Sequence, residues 1–128
     1  MKTGGIYHPA INHLLARSGH TDYFTVCDRG FPVPVGPERI DLALTDDIPT
    51  VLDVLRAVQA EFRIDRVLIA QEAETASPAW VSELRAHLGS TRLVTVAHLE
   101  LKQLAKQGRA TIRTADTTPY ANIIIVSG

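Results

Sequence analysis

The sequence lacks the features that mark disulfide-bonded, membrane-spanning and secreted proteins. It contains one cysteine, Cys27, so no internal disulfide can form, and a reducing compartment is the expected location. No apolar run approaches the roughly 18 residues that a membrane-spanning helix needs. The first residues, Met1 to Gly5, do not lead into an apolar signal region. We therefore expect a cytoplasmic protein with no membrane partner.

An excess of charge of one sign is also missing. The chain of 128 residues has 13 Lys and Arg against 14 Asp and Glu, and these residues are scattered along it. Because phosphate backbones are bound by clustered basic side chains, nucleic acid is not an expected partner. The nucleotide motifs G-x-G-x-x-G and G-x-x-x-x-G-K-[ST] are absent as well, which argues against a bound nucleotide.

The five histidines raise the question of a metal site. His8, His13 and His20 do not have the i, i+4 spacing with an intervening Glu that helical zinc sites show, and there is no cysteine pair. Cys27 ends an apolar run, where a cysteine usually packs as a small hydrophobic residue. We expect neither a metal ion nor a cysteine nucleophile.

Hydrophobic patterning predicts strands that alternate with helices. Strand-like runs stand at 24–27, 40–45, 67–70, 93–96, 111–113 and 122–126, and helical spacing at 8–19, 47–62, 77–89 and 97–107. With 45% apolar residues and no linker, the chain is predicted to form a single domain over residues 1–128. The predicted fold class is α/β, a three-layer α/β/α arrangement with a mixed, mostly parallel sheet of about six strands. Strands that follow one another without a helix, after Cys27 and after Arg113, predict one antiparallel pairing.

Polar residues cluster where the predicted strands end. Asp28, Glu72 and His98 each follow a strand, and a polar loop, 114–120, precedes the last one. In open α/β sheets, ligand sites form beyond the carboxyl ends of the strands. A site at this edge of the sheet is therefore expected.

His20 with Asp28 is the leading acid/base candidate. An imidazole titrates near neutral pH, and a carboxylate nearby can orient it or bind a substrate hydroxyl. The alternative is that His20 and Asp22 only finish the first helix and cap a turn.

Two further groups carry possible ligand contacts. His98 and Lys102 lie four residues apart on one helix face, although such a pair often faces solvent. Tyr120 and Asn122 offer a phenol and an amide suited to hydroxyl-rich ligands, unless Asn122 and Pro119 only shape the turn into the last strand.

Short motifs along nearly the whole chain together resemble the D-ribose pyranase family. They are Gly19-His20-Thr21-Asp22, Cys27-Asp28, Gly30 with Pro32 and Pro34, Arg39-Ile40-Asp41, His98 with Lys102, Arg113-Thr114, and Pro119-Tyr120-Ala121-Asn122. The related L-fucose mutarotases look similar but typically have glycine after the histidine of the first motif, where this chain has Thr21.

The resemblance implies an isomerase that interconverts the pyranose and furanose forms and the anomers of D-ribose without a cofactor. His20 resembles the family's general acid/base, and the residues that resemble its sugar contacts are Asp28, His98, Lys102, Tyr120 and Asn122. The resemblance also implies self-association into a ring-shaped homo-oligomer, commonly a decamer, with sites near subunit contacts. An L-fucose-type mutarotase and a non-catalytic sugar-binding accessory protein of ribose transport are the alternatives.

The chain departs from the family pattern at a few positions. Gln71 replaces a common acid, Ala115-Asp116 replaces a Gly-Glu pair, and Arg29 stands where relatives usually have a small residue. A long cation beside Asp28 is expected to pair with it, narrow the pocket or favour a different sugar.

Overall fold

Short apolar segments form a six-stranded sheet in the computed structural model, which describes residues 1–128. In chain order the elements are α1 (Pro9–Arg17), β1 (Tyr23–Cys27), β2 (Glu38–Asp41), α2 (Val51–Gln59), β3 (Ile64–Ala70), α3 (Glu72–Ala76), α4 (Pro78–Leu88), β4 (Arg92–Val96), α5 (His98–Ala105), β5 (Ala110–Arg113) and β6 (Ile123–Ser127). The strands lie in the order β2-β5-β1-β6-β3-β4.

The last strand, β6, runs against the other five. It pairs antiparallel with β1 and β3, whereas β1 with β5, β2 with β5 and β3 with β4 are parallel. The prediction of one antiparallel pairing is therefore wrong in number, because β6 lies between two strands that are not its neighbours in sequence. This reversal places the amino end of β6 at the same edge of the sheet as the carboxyl ends of the other strands.

Helices cover both faces of the sheet, and alternating residues of β6 face the two layers. Ile123 and Ile125 belong to the larger core cluster, with α1, α2 and α4, while Ile124 and Val126 pack with α5. Residues two apart in a strand share a face, so the pattern follows from strand geometry. The predicted three-layer α/β fold with a mixed, mostly parallel sheet is confirmed.

Two predicted boundaries are wrong for local reasons. β2 ends at Asp41, whose carboxylate accepts a hydrogen bond from the Ala43 N–H, and Leu44, expected on a buried face, is 79% exposed. Helix α2 begins after Thr50 rather than near Asp47, because Thr50 and Asp53 form a capping box. The five-residue helix α3 was not predicted from the sequence.

Candidate active site

A small cavity opens at the edge of the sheet where the carboxyl ends of β1 and β4 meet the amino end of β6. It has a volume of about 220 Å³. Its walls come from loop 28–32, from the first turn and a half of α5, and from the segment that enters β6. The lining residues are Asp28, Gly30, Phe31, Pro32, His98, Lys102, Tyr120 and Asn122. Every residue that was matched to a sugar contact therefore lies in this one cavity.

The Asp28 carboxylate stands at the end of β1, where the backbone leaves the sheet. Its Oδ1 accepts the Gly30 N–H at 2.9 Å, and the Asp28 N–H donates to Oδ1 of Asn122 at 2.8 Å. Burial raises the pKa of the Asp28 carboxyl above its ordinary value, although hydrogen bonds from the Gly30 N–H, the Asn122 side chain and the Phe31 N–H oppose the shift. The carboxylate is thus held in place at the wall of the cavity.

His98 is the first residue of α5 and is fixed by Glu72. The residue before the helix, Ala97, offers no side-chain cap, and both Glu72 carboxylate oxygens accept the His98 N–H, at 3.0 and 3.1 Å. A carboxylate at a helix N-terminus is favourable because the helix dipole is positive there. The sequence indicates that Glu72 lies at this edge of the sheet, but nothing in its spacing indicates that it caps α5.

The His98 ring packs edge-on against two aromatic rings. Its centroid lies 5.0 Å from Tyr120, with an interplanar angle of 89°, and 6.3 Å from Phe31, at 82°. Burial, followed by the Lys102 ammonium, lowers the pKa of the imidazole below its ordinary value, so the neutral ring is favoured. Nδ1 is buried and has no hydrogen-bond partner, which leaves Nε2 as the nitrogen that can meet a ligand.

Tyr120 is held in an unusual backbone conformation. Its φ is +60°, in the left-handed region that non-glycine residues rarely occupy. Neighbouring bonds fix it: the Ala121 N–H donates to the Thr118 carbonyl at 3.2 Å, and the Ser77 hydroxyl donates to the Pro119 carbonyl at 2.7 Å. Strain of this kind concentrates at functional sites.

Arg29 points away from the cavity. Its guanidinium pairs with Asp46 at 2.6 Å, and its carbonyl accepts a hydrogen bond from Nε of Arg113 at 3.1 Å. Arg29 is not among the lining residues, so the expectation that it pairs with Asp28 or narrows the pocket is wrong. The nearby Asp46 carboxylate is the partner that the sequence did not reveal.

His20 lies at the opposite end of β1 from Asp28. It is exposed, in the turn between α1 and β1. The five residues of β1 span about 17 Å, so its imidazole is outside the cavity of its own chain. The structure brings together Asp28, His98, Lys102, Tyr120 and Asn122, and it leaves His20 apart.

A larger groove, of about 640 Å³, lies on the other side of loop 114–122. Two of the three carboxylates in its lining already accept hydrogen bonds within the chain. The buried Asp116 accepts the Val51 and Thr118 N–H groups, and Asp47 accepts the Thr117 N–H and hydroxyl. The smaller cavity is therefore better suited to a new polar ligand.

Other types of site receive no support from the structure. No group of three or more His, Cys, Asp and Glu side chains is placed to hold a metal ion. Burial raises the pKa of the Cys27 thiol to about 12, so the reactive thiolate is scarce near neutral pH. None of the helices is both long enough and apolar enough to cross a membrane.

Comparison with known proteins identifies relatives over the full length. The model of the RbsD / FucU transport protein family matches residues 1–128. A D-ribose pyranase of Clostridium tetani is 41% identical over 128 residues, covering 100% of this chain and 98% of the relative, and one of Variovorax paradoxus is 43% identical over 133 residues, with the same coverage.

Solved structures of two proteins are similar to this chain in fold. Bacillus subtilis RbsD complexed with D-ribose superposes with a TM-score of 0.95 at 34% identity, covering 100% of this chain and 98% of that one. The fucose mutarotase of Streptococcus pneumoniae in complex with L-fucose gives a TM-score of 0.75 at 17% identity, covering 94% and 92%, which is a likeness of fold alone.

Proposed function

The chain belongs to the RbsD / FucU transport protein family, and from this premise we propose that it is an isomerase that interconverts the pyranose and furanose forms, and the anomers, of D-ribose. The resemblance to the D-ribose pyranases drawn from the sequence is confirmed by the full-length matches. The observation that carries the proposal is the convergence of Asp28, His98, Lys102, Tyr120 and Asn122 on one cavity.

The size and lining of the cavity suit a single sugar. Its volume of about 220 Å³ is below the range of roughly 300–1,000 Å³ that is usual for drug-sized ligands. The lining offers a carboxylate, an ammonium, a phenol, an amide and an imidazole, which match the alternating donors and acceptors of a polyhydroxy compound. Phe31 and Tyr120 supply apolar surface for the C–H groups of the sugar ring.

The reaction needs only proton transfers. Removal of the proton from the anomeric hydroxyl, with delivery of a proton to the ring oxygen, breaks the bond between C1 and that oxygen and gives the open-chain aldehyde. Attack of a hydroxyl on the aldehyde reverses these steps. The 5-hydroxyl regenerates a pyranose, the 4-hydroxyl gives a furanose, and rotation of the aldehyde before closure exchanges the anomers. No redox change occurs, and no covalent intermediate with the protein is required.

We assign the fixed polar groups to binding. Asp28 accepts a hydrogen bond from a sugar hydroxyl, and Asn122, whose Oδ1 is already used by the Asp28 N–H, donates through its amide nitrogen. Lys102 contributes a cation, and Tyr120 contributes its hydroxyl. Holding several hydroxyls at once keeps the open chain close to a reactive geometry.

His98 is assigned as a neutral hydrogen-bond donor. Because Nδ1 is buried without an acceptor, a proton on Nδ1 would be a buried unsatisfied donor. The tautomer with the proton on Nε2 replaces this unpaired donor by an unpaired acceptor and presents an N–H to the sugar. The lowered pKa of the ring is consistent with this uncharged role.

His20 is assigned as the general acid/base, supplied to the cavity by a second copy of the chain. Its exposure and its position at the far end of β1 exclude it from the cavity of its own chain but leave it accessible to a neighbour. A closed ring of copies would place one His20 at each cavity. We extend the proposal to a homo-oligomer, a decamer in size.

The proposal also covers the domain organisation and the location of the protein. Residues 1–128 act as one ribose-pyranase-like domain, in keeping with the single sheet that spans them. A cytoplasmic location suits the single, unpaired Cys27.

Saturation-transfer NMR on D-ribose tests the function. We expect the protein to accelerate exchange between pyranose and furanose signals, and the His20→Ala variant to lose most of this acceleration. Ribose binding without acceleration would overturn the proposal in favour of a sugar-binding accessory protein. A panel that includes L-fucose reports the preferred sugar, and faster exchange of L-fucose than of ribose would favour a fucose-type mutarotase.

A further inference from the structure

The turn that carries His20 is tied to the end of the sheet by the two residues that follow the histidine. The Thr21 N–H donates to the Ser127 carbonyl at 2.9 Å, and the Ser127 N–H donates to the Asp22 carbonyl at 2.8 Å. The Asp22 N–H closes the turn on the Gly19 carbonyl at 3.1 Å. No hydrogen bond within the chain involves the His20 ring, so its direction depends on this backbone.

The backbone of the turn is strained beside the histidine. Thr21 has a φ of +69°, in the left-handed region, where a β-branched residue is a genuine outlier. Such a conformation persists only when surrounding contacts over-determine it. Tyr120, in the sugar cavity, is another residue with positive φ in this chain, at +60°.

The Asp22 side chain supplies the contacts that hold the turn closed. Its Oδ2 accepts the Gly19 N–H at 2.8 Å, and its Oδ1 accepts from Nη2 of Arg109 at 2.9 Å. One carboxylate thus bridges the residue before His20 and a residue on a separate segment. The Gly19 N–H and the Arg109 guanidinium together hold the pKa of this carboxyl below its usual range.

Arg109 is itself held in place by the chain. Its N–H donates to the Tyr23 carbonyl at 2.8 Å. The preceding residue, Gly108, packs so closely on Tyr23 that a Cβ there would lie 3.2 Å from the Tyr23 carbonyl oxygen and 3.2 Å from its ring. The guanidinium therefore reaches Asp22 from a fixed backbone position.

We propose that Asp22 is a positioning residue for His20: clamped by Arg109, its carboxylate fixes the turn so that the imidazole is directed outward at the sugar held by a neighbouring copy. This inference rests on the proposed role of His20. An exposed ion pair of this kind contributes little to the stability of the fold, so a stabilising role does not account for the contact between Arg109 and Asp22. Its value lies in orientation, since a misplacement of about 1 Å at a reacting group can cost about 100-fold in rate.

Asp22→Asn and Asp22→Ala form a graded test. The asparagine keeps an oxygen that can accept the Gly19 N–H but loses the charge that binds Arg109, whereas alanine loses both contacts. Exchange rates measured by NMR over a range of ribose concentrations separate kcat from KM. We expect kcat to fall by about 10-fold in Asp22→Ala and by less in Asp22→Asn, with KM within about 2-fold of the parent, because the cavity is elsewhere.

Arg109→Met supplies an independent variant, and Arg85→Met is its matched control. Arg85 forms an exposed pair with Glu74 at 3.7 Å, away from the His20 turn. We expect Arg109→Met to lower kcat in the same direction as Asp22→Asn, and Arg85→Met to leave it unchanged. Light scattering and thermal melting confirm that each variant keeps the parent assembly and fold, and Asp22→Asn serves if Asp22→Ala does not fold.

The His20→Ala variant separates this inference from the proposed function. If His20→Ala retains the parent kcat, the assignment of His20 fails and the role of Asp22 fails with it. If His20→Ala loses exchange while both Asp22 variants keep the parent kcat, only the positioning role is overturned. A loss of kcat in Asp22→Ala that is matched by Arg85→Met, or a KM that rises as much as kcat falls, would also overturn it.

Discussion

The main-chain N–H of Asp28 donates to Oδ1 of Asn122 at 2.8 Å, and this bond joins the end of β1 to the start of β6. The two residues are 94 positions apart in sequence. Because Asn122 is buried, with 1% of its surface exposed, the bond is shielded from water. The two proposed sugar contacts are therefore set relative to each other before any ligand enters.

Asn122→Ala is expected to weaken both stability and ribose binding. It leaves the Asp28 N–H without its partner, which costs about 1–3 kcal/mol in the free energy of unfolding. It also removes the amide donor assigned to the sugar, so the Kd for ribose rises by at least about 10-fold. Urea denaturation and isothermal titration measure the two effects.

Asn12→Ala is the control for this prediction. Its side chain donates to the Ile6 carbonyl at 2.6 Å, far from the cavity. We expect a loss of stability in this variant without a change in ribose affinity. Equal losses of affinity in both variants would contradict a binding role for Asn122.

The tautomer of His98 predicts different outcomes for two substitutions. Glutamine places its amide nitrogen near the position of Nε2, whereas asparagine reaches only as far as Nδ1. We expect His98→Gln to keep ribose affinity within about 5-fold of the parent and His98→Asn to lose at least about 10-fold, the value of one hydrogen bond. Nitrogen-15 shifts of the parent imidazole report the protonated nitrogen directly, and a proton on Nδ1 would contradict the assignment.

The lowered pKa of His98 predicts how stability changes with pH. The unfolded chain takes up a proton at this residue near the ordinary value of 6.5, whereas the folded chain does so only at lower pH. Between these values the unfolded state binds more protons, so stability falls as the pH drops below 6.5. Since the ring is partly exposed, we expect an effect below about 1 kcal/mol.

Urea denaturation between neutral and acidic pH, with His98→Gln as the reference, isolates this contribution. The parent should lose more stability than the variant as the pH falls. Parallel curves for the two proteins would show that His98 does not titrate differently on folding.

Arg29→Ala is expected to have little effect on ribose turnover. The Arg29 guanidinium is exposed and pairs with Asp46 rather than with Asp28. Exposed pairs are worth about 0–1 kcal/mol, so we expect KM to change by less than about 3-fold. Lys102→Met, which alters the cavity, should raise KM by at least 10-fold, roughly one lost charged hydrogen bond. A similar rise of KM in Arg29→Ala would contradict this prediction and show that Arg29 contributes to sugar binding.

The sequence sufficed for the fold class because period and composition are local properties. The strand-like run at 67–70 lies in β3, the run at 122–126 matches β6 to within one residue at each end, and Val51, Leu55 and Val58 lie in α2. The alternation at 40–45 was misleading, because the turn made by the Asp41 carboxylate ends β2 early. The order of the strands depends on tertiary contacts, which periodicity does not contain.

For the site, the sequence indicates the correct edge of the sheet but not the partners of each group. Asp28 and His98 follow strands, and that rule alone placed them together. The pairing of Arg29 with Asp46, and the capping of His98 by Glu72 from 26 residues away, depend on side-chain geometry. The separation of His20 from Asp28 follows from the length of β1, whereas the proposed supply of His20 by a neighbouring copy depends on contacts between chains.

A mixture of two impaired variants, assayed at ribose concentrations well below the raised KM of Lys102→Met, tests whether two copies share each site. His20→Ala keeps an intact cavity, and Lys102→Met keeps an intact histidine. When the two chains are co-expressed in equal amounts, random assembly pairs a cavity of the first kind with a histidine of the second at about one quarter of the sites. We therefore expect mixed assemblies to recover about a quarter of the parent exchange rate, measured by saturation transfer on ribose. Variants purified separately and mixed only after assembly provide the control, and a co-expressed mixture no more active than this control would place His20 outside any shared site.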